Sequence, residues 1–278
     1  MNPETAVITR SIQKYTQDGL IQFDDYLAVE EPLEISVTYI EQQKKVRKNI
    51  SVTMRTPSRD EELALGFLFT EGIIQNFQQI DKVTSSLLEP NKITVALKEG
   101  SIPKLDTSER NFYTTSSCGV CGKASIDAIH VSSAYTGTTR LPVINSSVLP
   151  KIFSELKSRQ DIFESTGGLH ASCLFDLKGE FQMIFEDVGR HNALDKLIGA
   201  AFKNDMLPLH DFVLLLSGRA SFELIQKAHM AGIRIVAAIG APSSLAAELA
   251  ESSGMTLVGF LSNEKFNIYT GFDRINGL

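Results

Sequence analysis

"DFVLLLSGRASFELIQKAHMAGIRIVAAIGAPSSLAAELAESSGMTLVGF", Asp211 to Phe260, is the stretch whose reading decides the fold. Three near-continuous apolar runs, at 211–217, 233–239 and 255–260, alternate with two amphipathic segments of roughly ten residues. The pattern predicts strands in the runs and helices over 221–230 and 244–252. Apolar strands linked by helices are parallel strands covered on both faces, so the C-terminal part is expected to be a layered α/β sandwich. Ligands of such sheets gather where the strands end at their carboxyl side. Here those ends are "SGRAS" (Ser217 to Ser221), "GAPSS" (Gly240 to Ser244) and "FLSNEK" (Phe260 to Lys265). The first two are small, hydroxyl-rich and open onto helices, so their N–H groups are candidates to hold a phosphate or another anion. Taken singly, either loop is also accounted for by ordinary N-cap chemistry. Their shared edge favours the functional reading.

Working outward, "GLHASCLFD" and "EFQMIFED" are strand-like runs separated by Lys178-Gly179, a hairpin signal. "GRHNALDKLIGAAFK" places apolar residues at 194, 197, 198, 201 and 202, which is helical spacing. A helix is predicted over 150–160, and "ASIDAIH" reads as a short one. Near the N-terminus, 33–40 and 48–56 alternate and are β-branched, a hairpin joined by "EQQKKVR". Ser58 followed by Glu61 has capping-box spacing ahead of a helix over 59–70. From Glu99 to Ser117 the periodicity fades. The expected organisation is a β-rich N-terminal subdomain with one helix, residues 1–113, followed by a cysteine loop and α/β core, residues 114–278.

With 278 residues and 43% apolar content the chain can bury a sizeable core. A formal charge of −6, with "KKVRK" (Lys44 to Lys48) the only short basic run, argues against a nucleic-acid or membrane-surface binder. No apolar stretch is long enough for a membrane span and the start of the chain has no secretory pattern, so a cytoplasmic protein is expected.

"TTSSCGVCGKAS", residues 114–125, holds two of the three cysteines. In a reducing compartment such a pair reads as metal-binding or reactive. Zinc would take Cys118 and Cys121 with His170 and Cys173 from "HASC". Against that set, positions three apart in a strand face opposite sides, and Cys173 has the apolar neighbours of a core thiol. A thioredoxin-like couple would sit at a strand–helix junction of a βαβ unit, which this stretch is not. A reactive or sulfur-carrying thiol needs a low pKa, exposure and mobility. Ser117, Gly119 and Gly122 offer mobility, Lys123 a positive neighbour, and a helix start near Ala124 a favourable dipole. The residues fit this reading without naming the reaction.

"LALGFLFTEGII", "SSCGVCGKASID", "GGLHASCLFD", "FEDVGRHNALDKLIG", "SGRASFELIQKA", "APSSLAAELAE" and "GMTLVGFLSNEKFNIYTG", in this order, resemble the formate dehydrogenase accessory sulfurtransferase family (FdhD-type), over roughly Leu33 to Gly271. The resemblance implies a cytidine-deaminase-like α/β core. It implies a sulfur carrier that takes sulfur from a cysteine desulfurase and passes it to the molybdenum cofactor, as bis(molybdopterin guanine dinucleotide), before insertion into formate dehydrogenase. By the same match Cys118 is the persulfide-forming cysteine and Cys121 its partner. Phe260, Leu261, Ser262, Asn263, Glu264 and Lys265 form the cofactor-binding segment. The segment departs from a pattern richer in Gly and often ending in Arg; Lys265 keeps the charge without bidentate reach. No permanent cofactor and no metal is implied, and the His-x-Glu and Pro-Cys of zinc deaminases are missing from the sequence. The rival reading is a non-catalytic molybdenum-cofactor chaperone whose cysteines clip a zinc ion.

An anionic cofactor on a chain of charge −6 needs local donors. Arg190, Arg219 and Lys265 lie at predicted loop or helix starts, and Ser217 and Ser221 offer hydroxyls to phosphate or base. Asp187 reads as the cap of the helix that follows it. His191, in that helix's first turn, reads as a neutral hydrogen-bonding group near the cofactor. A ligand with two guanine nucleotides suits a two-fold site, so a homodimer is expected.

Overall fold

The computed structural model describes residues 6–86, 88–105, 135, 141–159 and 166–278. Strands β1 (Val7–Thr16) and β2 (Gly19–Ala28) form an antiparallel hairpin about Gln17 and Asp18. Strands β3 (Glu31–Glu41) and β4 (Lys44–Arg55) are the predicted second hairpin. They run longer than expected because the turn contracts to Gln42 and Gln43, both at positive φ (48° and 63°). Such a turn matches the twist of the flanking strands, so the basic "KKVR" joins β4 instead of a loop. Helix α1 (Asp60–Thr70), a 3-10 turn (Phe77–Gln79) and strands β5 (Ile80–Ser86) and β6 (Glu89–Leu97) follow. The resulting sheet has the order β4-β3-β6-β5, with β6 parallel to β3 and antiparallel to β5.

The capping box expected at Ser58 does not form. Ser58 and Arg59 both sit at positive φ, 89° and 60°, and the N-cap is Arg59 with no side-chain cap bond. Asp60 is gripped by Arg55 at 2.9 and 3.0 Å, and Glu61 reaches Lys203 at 3.0 Å. Glu61, the acidic group that the local pattern offered to the cap, is thus spent on an ion pair with α3. The first turn keeps three carboxylates, Asp60, Glu61 and Glu62, which favour the positive end of the helix dipole.

Beyond residue 140 come β7 (Ile144–Asn145), α2 (Val148–Lys157), β8 (His170–Asp176), β9 (Phe181–Asp187) and α3 (Arg190–Lys203). Next are β10 (Phe212–Leu216), α4 (Phe222–Met230), β11 (Ile235–Ala238), α5 (Ser244–Ser252) and β12 (Thr256–Gly259). The chain closes with β13 (Asn267–Thr270), a 3-10 turn (Phe272–Arg274) and β14 (Ile275–Asn276), which pairs with β7. Helix α2 begins at Val148, two residues before the predicted start, because Pro150 is tolerated in a first turn, where its missing N–H has no intrahelical partner. The six-stranded sheet has the order β13-β12-β11-β10-β8-β9. Its centre, β10-β11-β12, is parallel as expected, while β8 and β13 run antiparallel beside it, so the sheet is mixed. No helix of the described residues is long and apolar enough to cross a membrane.

Period-two alternation divides the central strands between two cores. Leu214, Leu216, Val236, Ala238 and Leu257 face α4 and α5 and join a cluster that continues through Leu194 and Leu65 to Leu33, Ile35 and Val37 of the N-terminal sheet. Val213, Leu215, Ile235, Ala237 and Val258 face the other way, against Leu149, Ile152 and Phe153 of α2. The mixed α/β class and the two-sided cover of the sheet follow directly.

Helices α1 and α3 cross at Gly66 and Gly199. A side chain at Gly66 would overlap the Asp195 carbonyl, and one at Gly199 the Glu62 carbonyl, so only glycine lets the two backbones meet. Two buried ion pairs flank the crossing. Lys227 donates to both oxygens of Asp195 at 2.9 Å and to Thr70 Oγ1 at 2.9 Å, joining α4, α3 and α1. Lys196 holds Asp187 at 2.6 Å and donates to the Thr56 carbonyl at 2.9 Å, joining α3 to the end of β4.

Candidate functional site

The three loops at the carboxyl ends of β10, β11 and β12 do share one edge, and they are laced together. Gly240 N–H donates to the Gly218 carbonyl at 3.0 Å, Ala220 to Ala241 at 3.2 Å, Ser243 to Ala220 at 3.0 Å and Phe260 to Gly240 at 3.2 Å. These N–H groups, expected to serve an anion, are consumed in building the rim. Ser243 Oγ accepts from Ala246 N–H at 3.2 Å as the cap of α5. What the rim presents to a ligand is therefore mostly side chains.

Those side chains come from four elements. His170 opens β8, and its ring packs against Gly218, 3.1 Å from where a side chain there would begin. Its register partner is Asp187, so the chain leaving β9 carries Arg190 and His191 to the same end of the sheet. His191 Nε2 lies 3.3 Å from Ser221 Oγ and 3.9 Å from the Glu223 carboxylate, at the start of α4. Burial works to raise the Glu223 carboxyl, but the His191 imidazole, its own backbone N–H and the Ser221 hydroxyl outweigh it and hold the group down to about 2. Burial, then the Arg190 and His191 charges, lower the His170 pKa and favour a neutral ring. Arg190 Nε is buried with no partner among the described residues. A neutral imidazole, a glutamate that stays ionised and a guanidinium with an unused donor thus share one edge.

The other expected residues divide. Ser217 Oγ accepts from Ala171 N–H at 2.8 Å and fastens β10 to β8. Arg219 is exposed beside Gly240. Within 260–265, Phe260 stands in the left-handed region (φ 53°) and is exposed, whereas Leu261 is buried in the core shared with α2 and offers only backbone. Ser262 Oγ accepts from Lys265 N–H at 3.1 Å and donates to its carbonyl at 3.0 Å, closing the turn on itself. Asn263 accepts from Ser154 of α2 at 2.8 Å, leaving Glu264 and Lys265 exposed. Ser221 keeps its place as the N-cap of α4 but makes no cap bond, because its hydroxyl faces His191.

Asp187 is not the N-cap of α3; Gly189 is. Its carboxylate accepts from Gly189 N–H at 2.8 Å, just ahead of the helix, and otherwise serves Lys196, Thr56 N–H and Asn192. Cys173 is a core thiol on the α2 face, pushed up to about 12 chiefly by burial, whereas the His170 ring packs against Gly218. Cys118, Cys121 and the helix expected in "ASIDAIH" lie outside the described residues. Glu223 was missed by sequence reading, although it stands two residues beyond Ser221 on the helix that opens from "SGRAS".

The class defined here is a mixed α/β protein whose laced carboxyl rim gathers two histidines, an ionised glutamate and an arginine donor at one sheet edge. The FdhD/NarQ family profile matches residues 28–276, and the chain belongs to that family. A relative from Mycolicibacterium paratuberculosis named "Sulfur carrier protein FdhD" is 47% identical, over 96% of this chain and 97% of its own. One of the same name from Sulfolobus acidocaldarius is 42% identical, over 91% and 92%. A solved structure from Desulfotalea psychrophila has the same fold at a TM-score of 0.74 and 23% identity, covering 97% of this chain and 99% of that one.

Proposed function

We propose that this chain is a sulfur carrier of formate dehydrogenase maturation, with Cys118 as the carrying thiol and Cys121 as its partner. The Cys118 thiolate attacks the outer sulfur of a cysteine desulfurase persulfide; the new S–S bond forms as the donor's S–S bond breaks, and the donor cysteine leaves as a thiolate. Cys121 then attacks the inner sulfur of the Cys118 persulfide, a Cys118–Cys121 disulfide forms as the inner–outer S–S bond breaks, and the outer sulfur leaves at the sulfide level to the molybdenum cofactor, as bis(molybdopterin guanine dinucleotide), before its insertion into formate dehydrogenase. The observation that carries this reading is identity of 47% across almost the whole chain to a relative named as a sulfur carrier.

The rim supports the binding half of the reading. A polyanionic cargo on a chain of net charge −6 needs concentrated donors, and Arg190, with its unpartnered Nε, and the exposed Arg219 and Lys265 supply them. His191 and Ser221 add hydrogen bonds, and Phe260 to Lys265 close the far side of the rim with Phe260 as a flat apolar surface for a base. Ser217 positions the rim through Ala171. In this reading the protein works in the cytoplasm as a homodimer around a two-fold cargo. Its core is layered as in cytidine deaminases, and residues 1–113 form a β-rich unit beside it.

Mass spectrometry of the full chain, after incubation with desulfurase and cysteine, is expected to find one added sulfur on Cys118 and none after Cys118→Ala. A Cys118 that never gains sulfur, alkylates slowly and travels with one zinc per chain would overturn the proposal in favour of the zinc-clip chaperone. Arg219→Ala is expected to weaken GDP binding by calorimetry; unchanged affinity removes Arg219 from the site.

A further inference from the structure

Two buried arginines end in opposite ways. Arg55, 1% exposed, spends the Nε and Nη2 edge of its guanidinium on Asp60 at 2.9 and 3.0 Å, the two-pronged grip that carboxylates give arginine. Arg274, 6% exposed in the 3-10 turn after β13, donates from Nη1 to Thr256 Oγ1 at 3.3 Å. Its Nε is buried with no partner among the described residues. Arg274 is also among the residues that line a cavity of about 380 Å³, with Glu251, Gly254, Tyr269, Phe272 and Asp273. Nη2 lies 3.9 Å from where a side chain at Gly254 would begin, which places that end of the guanidinium beside the lining.

The surroundings sharpen what would fit. Arg234 is buried close by, donating to the carbonyls of Ser253 and Tyr135, and burial followed by the Arg274 charge lowers its pKa. Two guanidiniums thus concentrate positive charge behind the cavity, while Glu251 and Asp273 supply carboxylates at its exposed side. Phe272, 61% exposed, and Tyr269 add aromatic surface. A simple phosphate would meet the cations and also the acids; a ligand bearing both signs of charge satisfies both. The cavity opens beside Met255 and Thr270, at the amino end of β12, whereas the rim described above follows the carboxyl ends of the same strands.

We propose that this cavity binds a small zwitterion, an amino acid with an apolar side chain. Its carboxylate lies on the Nε and Nη2 edge of Arg274, its ammonium toward Glu251 and Asp273, and its side chain against Phe272 and Tyr269. The volume is within the range of small-molecule sites. The proposal stands independently of sulfur transfer.

Four probes test it on the full chain by calorimetry and thermal unfolding: L-phenylalanine, 3-phenylpropionate, 2-phenylethylamine and inorganic phosphate. L-phenylalanine is expected to bind and raise Tm, with 3-phenylpropionate roughly tenfold weaker. The amine and phosphate are expected to give no signal at the same concentrations. Arg274→Lys, which keeps the charge and loses the fork, is expected to weaken L-phenylalanine roughly tenfold. Should that buried substitution unfold the chain, Phe272→Ala and Glu251→Gln at the exposed lining are expected to lower the affinity several-fold with Tm of the free protein unchanged. The proposal is overturned if L-phenylalanine does not bind the wild type, if phosphate binds tightest, or if affinity survives Arg274→Lys or both lining substitutions.

Discussion

Helix α1 and the β1–β2 hairpin both come from the N-terminal third of the chain, yet they are held in opposite ways. Helix α1 meets α3 backbone to backbone at Gly66 and Gly199, with Thr70 tied into the Asp195–Lys227 pair. Among the described residues the hairpin is fastened near its base, where Val29 N–H donates to the Ala6 carbonyl at 2.9 Å and Ala6 packs with Leu169, Val7, Ala28 and Val188. Ile8, Phe23 and Leu27 further along share one face by register, with Ile21 beside them, and all are exposed. Sequence proximity says nothing about this difference. It arises because one segment offers small residues at helical spacing to a partner helix, while the other, among the described residues, packs beyond its own two strands at its base alone.

The largest effect is expected at the crossing. Gly199→Ala places a methyl on the Glu62 carbonyl, backbone against backbone, with no flexible side chain to yield. Chemical denaturation is expected to show a loss of about 4 kcal/mol or more, or no folded protein at all. A change below about 1 kcal/mol would mean that the helices can separate without cost.

The flanking ion pair comes next. Lys196→Met leaves Asp187 buried without its cation, and removing one partner of such a pair costs about 3–5 kcal/mol. Pairing it with Asp187→Asn tests the cause. The double variant is expected to recover part of the loss in a thermodynamic cycle, since the uncompensated charge is then gone.

What could be read in advance follows the same division. The central strands and their helices were legible because burial on both faces writes itself as continuous apolar runs, as in "VLLL" and "IVAA". Strand β6 carried an equally clear signal in "KITVAL" and was passed over, as was the Asp18-Gly19 turn of the first hairpin, whose charged alternation hid a strand pair. Arg219 and Ser221 were named on the loop after β10, whereas Arg190 and His191 were read only as helix-start residues, and it is the pairing of β8 with β9 that brings them to the same edge. Leu261 and Asn263 were not separable from their exposed neighbours, because which residue of a tight loop turns inward depends on α2, distant in sequence. Asp187 was read as a local cap, since its partner Lys196 on α3 and the Thr56 N–H become visible only when β9, α3 and β4 meet.

A smaller, pH-dependent effect is expected at the rim. With Glu223 held down to about 2, the folded state binds its proton less readily than the unfolded chain, whose glutamate titrates near 4.3. The stabilisation is therefore complete above the unfolded value and is lost as pH falls from about 5 toward 2, amounting to at most about 3 kcal/mol. Glu223→Gln is expected to flatten this part of the stability profile while leaving the neutral-pH fold intact by circular dichroism. An acid limb as steep as the wild type's would assign the dependence to other carboxylates.

The hairpin marks the bottom of the scale. Ile21 is 50% exposed and Phe23 45%, and two strands alone hold little stability in water. Ile21→Thr and Phe23→Thr keep β-branched or strand-compatible chemistry at positions that lose little burial, so each is expected to change stability by no more than about 0.5 kcal/mol. Hydrogen exchange is expected to be faster in β1 and β2 than in β10 and β11 by orders of magnitude, since the hairpin can open without disturbing either core. A loss of 2 kcal/mol or more in either variant, roughly that of a buried side chain, would show that the apolar face is covered in solution, and the contrast with α1 would then be one of partner, not of anchoring.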